Sequence, residues 1–154
     1  MTHKIVQLEP MRMAGYLLQT TMTAVTTGNN PIPAFWGEVM QDGRFGKLME
    51  LGSDCPCSYG ACVMHTEEDM DYTISIALSK GAQAPEGYHI VNIPAGEYMV
   101  VETTLENLHA AYGYANGWLA ESGYTWAHGT SFEMYGADHA QTQLLHLHIP
   151  IMEL

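Results

Sequence analysis

The chain has 154 residues, enough for one domain or for two small halves that share a core. Five Lys+Arg stand against seventeen Asp+Glu, a formal net charge of −12, and so acidic a surface repels phosphate and argues against direct contact with nucleic acid. No run approaches the roughly 20 apolar residues that cross a bilayer, no signal-peptide core opens the chain, and three cysteines make no disulfide framework, so no membrane partner and a reducing, cytoplasmic setting are expected.

Along the chain, Met11 to Thr21 is predicted as a strand, rich in branched, aromatic and thioether side chains. After the polar turn Gly28-Asn29-Asn30-Pro31, a helix is expected from Pro33 to Met40, with proline in its first turn. Helical character resumes from Phe45 to Leu51, beyond the Asp42-Gly43 break. Tyr59 to His65 and Met70 to Ser79 read as two strands across the acidic turn Glu67-Glu68-Asp69. In the second of them Tyr72, Ile74, Ile76 and Leu78 alternate with Thr73, Ser75 and Ala77, the period of two that marks a strand. The same order then returns. His89 to Thr103 is expected as a strand bent or bulged at Ile93-Pro94-Ala95-Gly96. Thr104, as N-cap, opens a helix that runs to about Ala120. Phe132 to Tyr135 and Leu144 to Ile151 close the series as strands, with Leu145, Leu147, Ile149 and Ile151 alternating in the last.

Tyr59 and Phe132 stand at the same spacing as Tyr72 and Leu145, and Tyr16-Leu17-Leu18-Gln19-Thr20-Thr21 echoes Tyr98-Met99-Val100-Val101-Glu102-Thr103-Thr104. The fold class expected is therefore α+β: one domain of duplicated β-α-β-β halves, about residues 1–83 and 84–154, forming an antiparallel sheet with a cleft along the pseudo-two-fold. In that register Gly60 corresponds to Glu133, so the halves stop being equivalent at a carboxylate.

Glu133 is a lone acid within Ser131-Phe132-Glu133-Met134-Tyr135, with no Lys or Arg within about fifty residues along the chain. On an exposed edge it would be ordinary. Facing inward among rings it must be neutral or await a cation, because a carboxylate buried without a partner costs several kcal/mol, roughly.

In this order the chain resembles the GyrI-like small-molecule-binding family, the effector-binding domain of multidrug-responsive transcription activators. The resemblance rests on Arg12-Met13-Ala14-Gly15-Tyr16, Ile32-Pro33-Ala34-Phe35-Trp36, Tyr59-Gly60 and Asp71-Tyr72-Thr73. It continues through Ile93-Pro94-Ala95-Gly96-Glu97-Tyr98, Asn116-Gly117-Trp118-Leu119, Ser122-Gly123-Tyr124, Phe132-Glu133-Met134-Tyr135 and Ile149-Pro150-Ile151. It implies an aromatic-walled pocket between the halves with Glu133 at its floor, and a ligand that is cationic, lipophilic or planar. Trp118, Trp36 and Tyr72 occupy positions that relatives use for the wall; Tyr135 shares the pleat face of Glu133 and Phe35 adjoins Trp36. Many relatives carry a DNA-binding segment ahead of this region, and the chain resembles the stand-alone members, for which a separate regulator is a further partner.

Two other readings remain open at this level. Some relatives resemble hydrolases of strained electrophiles, for which Glu133 beside the Tyr72 hydroxyl would be the acid–base pair. Others bind and inhibit DNA gyrase, which an acidic surface suits. No cofactor motif is present, neither a glycine-rich phosphate loop nor H-E-x-x-H. Cys55, Cys57, Cys62 and His65 lack zinc-knuckle spacing, and His146 and His148 are expected opposite the Leu145 face, toward solvent or the cleft, so no metal is expected. A homodimer is neither required nor excluded.

Overall fold

The structure, a computed structural model, describes residues 1–51 and 57–154. Its strands are β1 (His3–Leu8), β2 (Met11–Thr21), β3 (Ser58–Met64), β4 (Asp69–Ala77), β5 (His89–Ile93), β6 (Gly96–Thr104), β7 (Tyr124–Trp126), β8 (Ser131–Tyr135) and β9 (Leu144–Glu153). The helices are α1 (Met22–Thr26), α2 (Ile32–Gln41), α3 (Arg44–Leu51), α4 (Leu108–Ser122) and α5 (His139–Thr142). The class is α+β, with one open antiparallel sheet.

The predicted strands and helices are all present, and three differences have physical causes. β1 was not expected, because His3-Lys4-Ile5-Val6-Gln7-Leu8 has too little apolar alternation and is held by β6, far along the chain. The single strand expected over His89 to Thr103 is two, since Pro94 cannot donate to a ladder and Gly96 has a φ of 151° that a side chain rarely tolerates. α4 starts later than expected, with Asn107 rather than Thr104 as N-cap, and Gly123 ends it in the left-handed conformation.

The sheet order is β1-β6-β9-β8-β3-β4-β2-β5, with β7 added to β9. Read from the centre outwards, it is the same series twice: β3, β4, β2 on one side and β8, β9, β6 on the other. β3 and β8 are partners, so the halves meet strand to strand. Each half's first strand, however, completes the other half: β1 pairs with β6 and β5 with β2.

Residues that face one another across a ladder share a side of the sheet. On one side, α2 and α3 cover Tyr72, Ile74 and Ile76 of β4 through Phe35, Val39 and Leu48. On the same side α4 lays Ala111, Ala115 and Leu119 on Met99, Val101, Leu147 and Ile149. The small alanines, one helical turn apart, allow the helix to lie close. The opposite side is packed by Met13, Tyr59, Val91, Tyr98 and Phe132 from the strands, with Cys57 ahead of β3, and among the described residues no helix contributes a buried member to it. Both sides of β4 are thus buried from Met70 to Ile76, although its sequence alternates.

Candidate functional site

Glu133 lies at the seam of the halves. It faces Gly60 directly across the β3–β8 ladder and Leu147 across β8–β9, on the helix-covered side. Since the duplication equates Gly60 with Glu133, an antiparallel pair of the two can lie only on the axis that relates the halves. Glu133 is 4 % exposed, and among the described residues no basic side chain comes within ion-pair distance of it.

Two phenols serve the carboxylate instead. The Tyr135 hydroxyl donates to Oε1 at 2.8 Å, and the Tyr72 hydroxyl, arriving from β4, donates to the same oxygen at 3.2 Å. Trp36 of α2 donates its indole N–H to the Tyr72 oxygen at 2.8 Å and meets the Tyr135 ring edge-on, with centroids 5.2 Å apart. The result is a relay from Trp36 through Tyr72 to Glu133. Burial pushes the Glu133 carboxyl up to about 7, and the Tyr135 and Tyr72 hydroxyls hold it below where burial alone would put it. Burial first, and then the nearby Glu133 charge, raise the phenols of Tyr72 and Tyr135 well above their ordinary value. The Cys62 thiol is raised for the same two reasons. Glu133 is therefore the one group of this cluster that gains or loses charge near neutral pH.

The structure brings Glu133, Tyr72, Tyr135 and Trp36 together. Phe35 is buried in the core with Val39 and Leu48, against which Trp36 also packs. Trp118 sits on a different face of α4, stacked on Tyr124 at 5.5 Å and tilted against His3 at 4.6 Å, in a separate cluster. From α4 it is Tyr112 that reaches this region: its phenol faces Ser131, burial raises it first, and the Cys62 and Glu133 charges raise it further. Tyr112 was not singled out from the sequence, and Gly60 was singled out only as the counterpart of Glu133 in the duplication. Tyr112 shares a helix face with the buried Ala115 and Leu119 by the i, i+3, i+7 spacing, a signal that could have found it.

Other expectations fall differently. His148 is buried rather than solvent-facing, stacked on Phe132 with centroids 4.4 Å apart, because the side opposite Glu133 is itself a packed core. Burial lowers it to about 4. His146 pairs with Glu102 at 3.2 Å and His65 with Asp71 at 2.8 Å. Cys62 is a free thiol; Cys57 is disulfide-bonded, which a count of three cysteines did not lead one to expect, and Cys55 lies outside the described residues. No helix is long and apolar enough to cross a membrane among the described residues. Two surface depressions, of about 590 and 480 Å³, lie away from Glu133, the first beside Arg12 and Lys80 and the second beside His65 and Asp71. The carboxylate itself is shut in by its aromatic neighbours.

The fold is shared with SAV2435, solved bound to tetraphenylphosphonium, at a TM-score of 0.80 and 16 % identity over 99 % of this chain and 94 % of that one. It is shared with an integron cassette protein from the mobile metagenome of Vibrio cholerae, at a TM-score of 0.70 and 12 % identity over 97 % and 95 %. The C-terminal domain of EcmrR matches at 0.63 and 12 % over 99 % and 98 %. No curated protein sequence matches the chain. The match to the Cass2 model extends over residues 4–151, almost the whole chain, and on that ground the chain belongs to the family of integron-associated effector binding proteins.

Proposed function

We propose that the protein binds lipophilic cations of aromatic or planar shape at the seam of its two halves, with Glu133 as counter-ion and Trp36, Tyr72 and Tyr135 as the wall. One observation carries this reading: a fully enclosed carboxylate whose hydrogen-bond partners are neutral phenols and which has no basic neighbour among the described residues. Such a group is expensive to keep, and a cation brought into the same low-dielectric space offsets that cost by Coulomb attraction. Rings around it add about 0.5–2 kcal/mol when a cation lies over their faces. The similar fold of SAV2435, solved with tetraphenylphosphonium, supports the ligand class.

Access requires movement. The half-buried Trp36 lies edge-on against Tyr135, so an aromatic body that stacks on that phenol displaces the indole and releases the Tyr72 oxygen. Calorimetry with tetraphenylphosphonium and a neutral compound of the same shape tests the counter-ion role. Glu133→Gln is expected to weaken the cation by about 1.5–3 kcal/mol, the scale of hydrogen bonds and contacts to a charged group, and to leave the neutral compound nearly unchanged. Equal losses for both would remove Glu133 from the reading.

A further inference from the structure

Gly60 lies in the interior of a central strand, where glycine weakens a sheet and usually marks a bulge or a close approach. Its backbone does not require glycine: it is not among the residues with positive φ, and it sits in regular ladders opposite Ile74 on one side and Glu133 on the other. Space does require it. A Cβ placed there would stand 2.7 Å from Tyr72 Cζ, closer still to the Tyr72 oxygen, and 3.2 Å from Glu133 Oε1. The room that a side chain would take is filled by the Tyr72 phenol.

The duplication makes the exchange plain. Where the second half has Glu133 and Leu145, the first has Gly60 and Tyr72 at the equivalent places. The axis has room for one long side chain from its own pair of residues, and the vacancy opposite Glu133 admits a donor from the next strand. We propose that Gly60 is a positioning residue of the site: by carrying no Cβ, it lets Tyr72 bring its hydroxyl against Glu133 and so fixes the charge state in which the carboxylate meets its ligand. This rests on the reading of Glu133 as the counter-ion, but the placement of Tyr72 can be tested without any ligand.

The experiment is a carboxyl-carbon NMR titration of Glu133 in the ligand-free protein, paired with tetraphenylphosphonium affinity measured from pH 5 to 9. Gly60→Ala pushes the hydroxyl away, so the carboxylate loses one donor and its titration midpoint rises by about one pH unit, the equivalent of a weakened charged hydrogen bond. Tyr72→Phe produces a similar rise, and Gly60→Ala combined with Tyr72→Phe produces no further one. The cation's affinity then begins to fall at a correspondingly higher pH in all three variants. A midpoint unchanged in Gly60→Ala, with only thermal stability reduced, overturns the proposal and makes Gly60 a packing residue alone. If wild type binds no cation while the three midpoints move as described, the ligand reading fails and the positioning role stands. Should Gly60→Ala not fold, Tyr72→Leu in the same chain is expected to restore folding, because it removes the atoms the new methyl meets; no restoration places the clash elsewhere and equally overturns the proposal.

Discussion

At the scale of single residues, two buried groups pull stability in opposite directions with pH. Glu133 titrates at about 7 in the folded chain against 4.5 when free, so between those values the unfolded chain has released a proton that the folded one retains. Its share of stability therefore falls as pH rises through that window and levels off above about 7, a loss on the order of 3 kcal/mol. His148 titrates at about 4 against 6.5, so the unfolded chain takes up a proton first as pH falls; its share is whole above 6.5 and is lost toward 4, by a similar amount. The two nearly cancel between pH 4.5 and 6.5. Glu133→Gln leaves His148 alone, and its stability should climb with pH through that window and exceed wild type by a few kcal/mol, roughly, above pH 7. Urea denaturation at half-unit steps checks this, and parallel curves for the two proteins would mean the carboxylate is solvated. Glu133 was legible in the sequence because it is an acid isolated from every base. Gly60 was legible as its counterpart in the duplication but not as a spacer, because that depends on a phenol that reaches it from the next strand.

At the scale of elements, what could be read was whatever carries its own period. β4 and β9 alternate, α2 carries Pro33 in its first turn, and the order of elements repeats, so the class and most boundaries followed. β1 did not, since its partner is supplied from the opposite half, and the bend expected at Pro94-Gly96 is a full break between β5 and β6. Trp118 shows the limit of positional likeness. It lies in the expected helix, yet the turn of α4 points it at His3 and Tyr124, while Tyr112 takes the side toward Glu133. The close seat of α4 depends on Ala111 and Ala115, both fully buried against β6 and β9. Ala115→Leu would overfill that contact and lift the helix, at a cost of about 1–3 kcal/mol. The same variant should weaken cation binding, as Tyr112 is carried outwards with the helix. Chemical denaturation and calorimetry on one preparation measure both, and an unchanged stability would show that α4 is more loosely seated than its alanines indicate.

At the scale of the whole molecule, the exchanged first strands set the order in which the chain can fold. β1 is translated ahead of the other described elements, but the residue opposite His3 is Val101, so both halves must be under way before that strand has a partner. β2 likewise keeps one edge open until β5 arrives with its Val91 opposite Met13. Pairings of such long sequence separation pay their loop-closure entropy late, which slows folding and leaves strand edges exposed meanwhile. In pulse-labelled hydrogen exchange during refolding, amides of Ile74 and Ile76 should gain protection before those of β1 that bond to β6; simultaneous protection would mean that the sheet forms in one step. Made from one end on the ribosome, the first half cannot cover the edge of β2 until β5 of the second has been synthesised, and a chain stalled midway displays that bare edge to whatever strand is near.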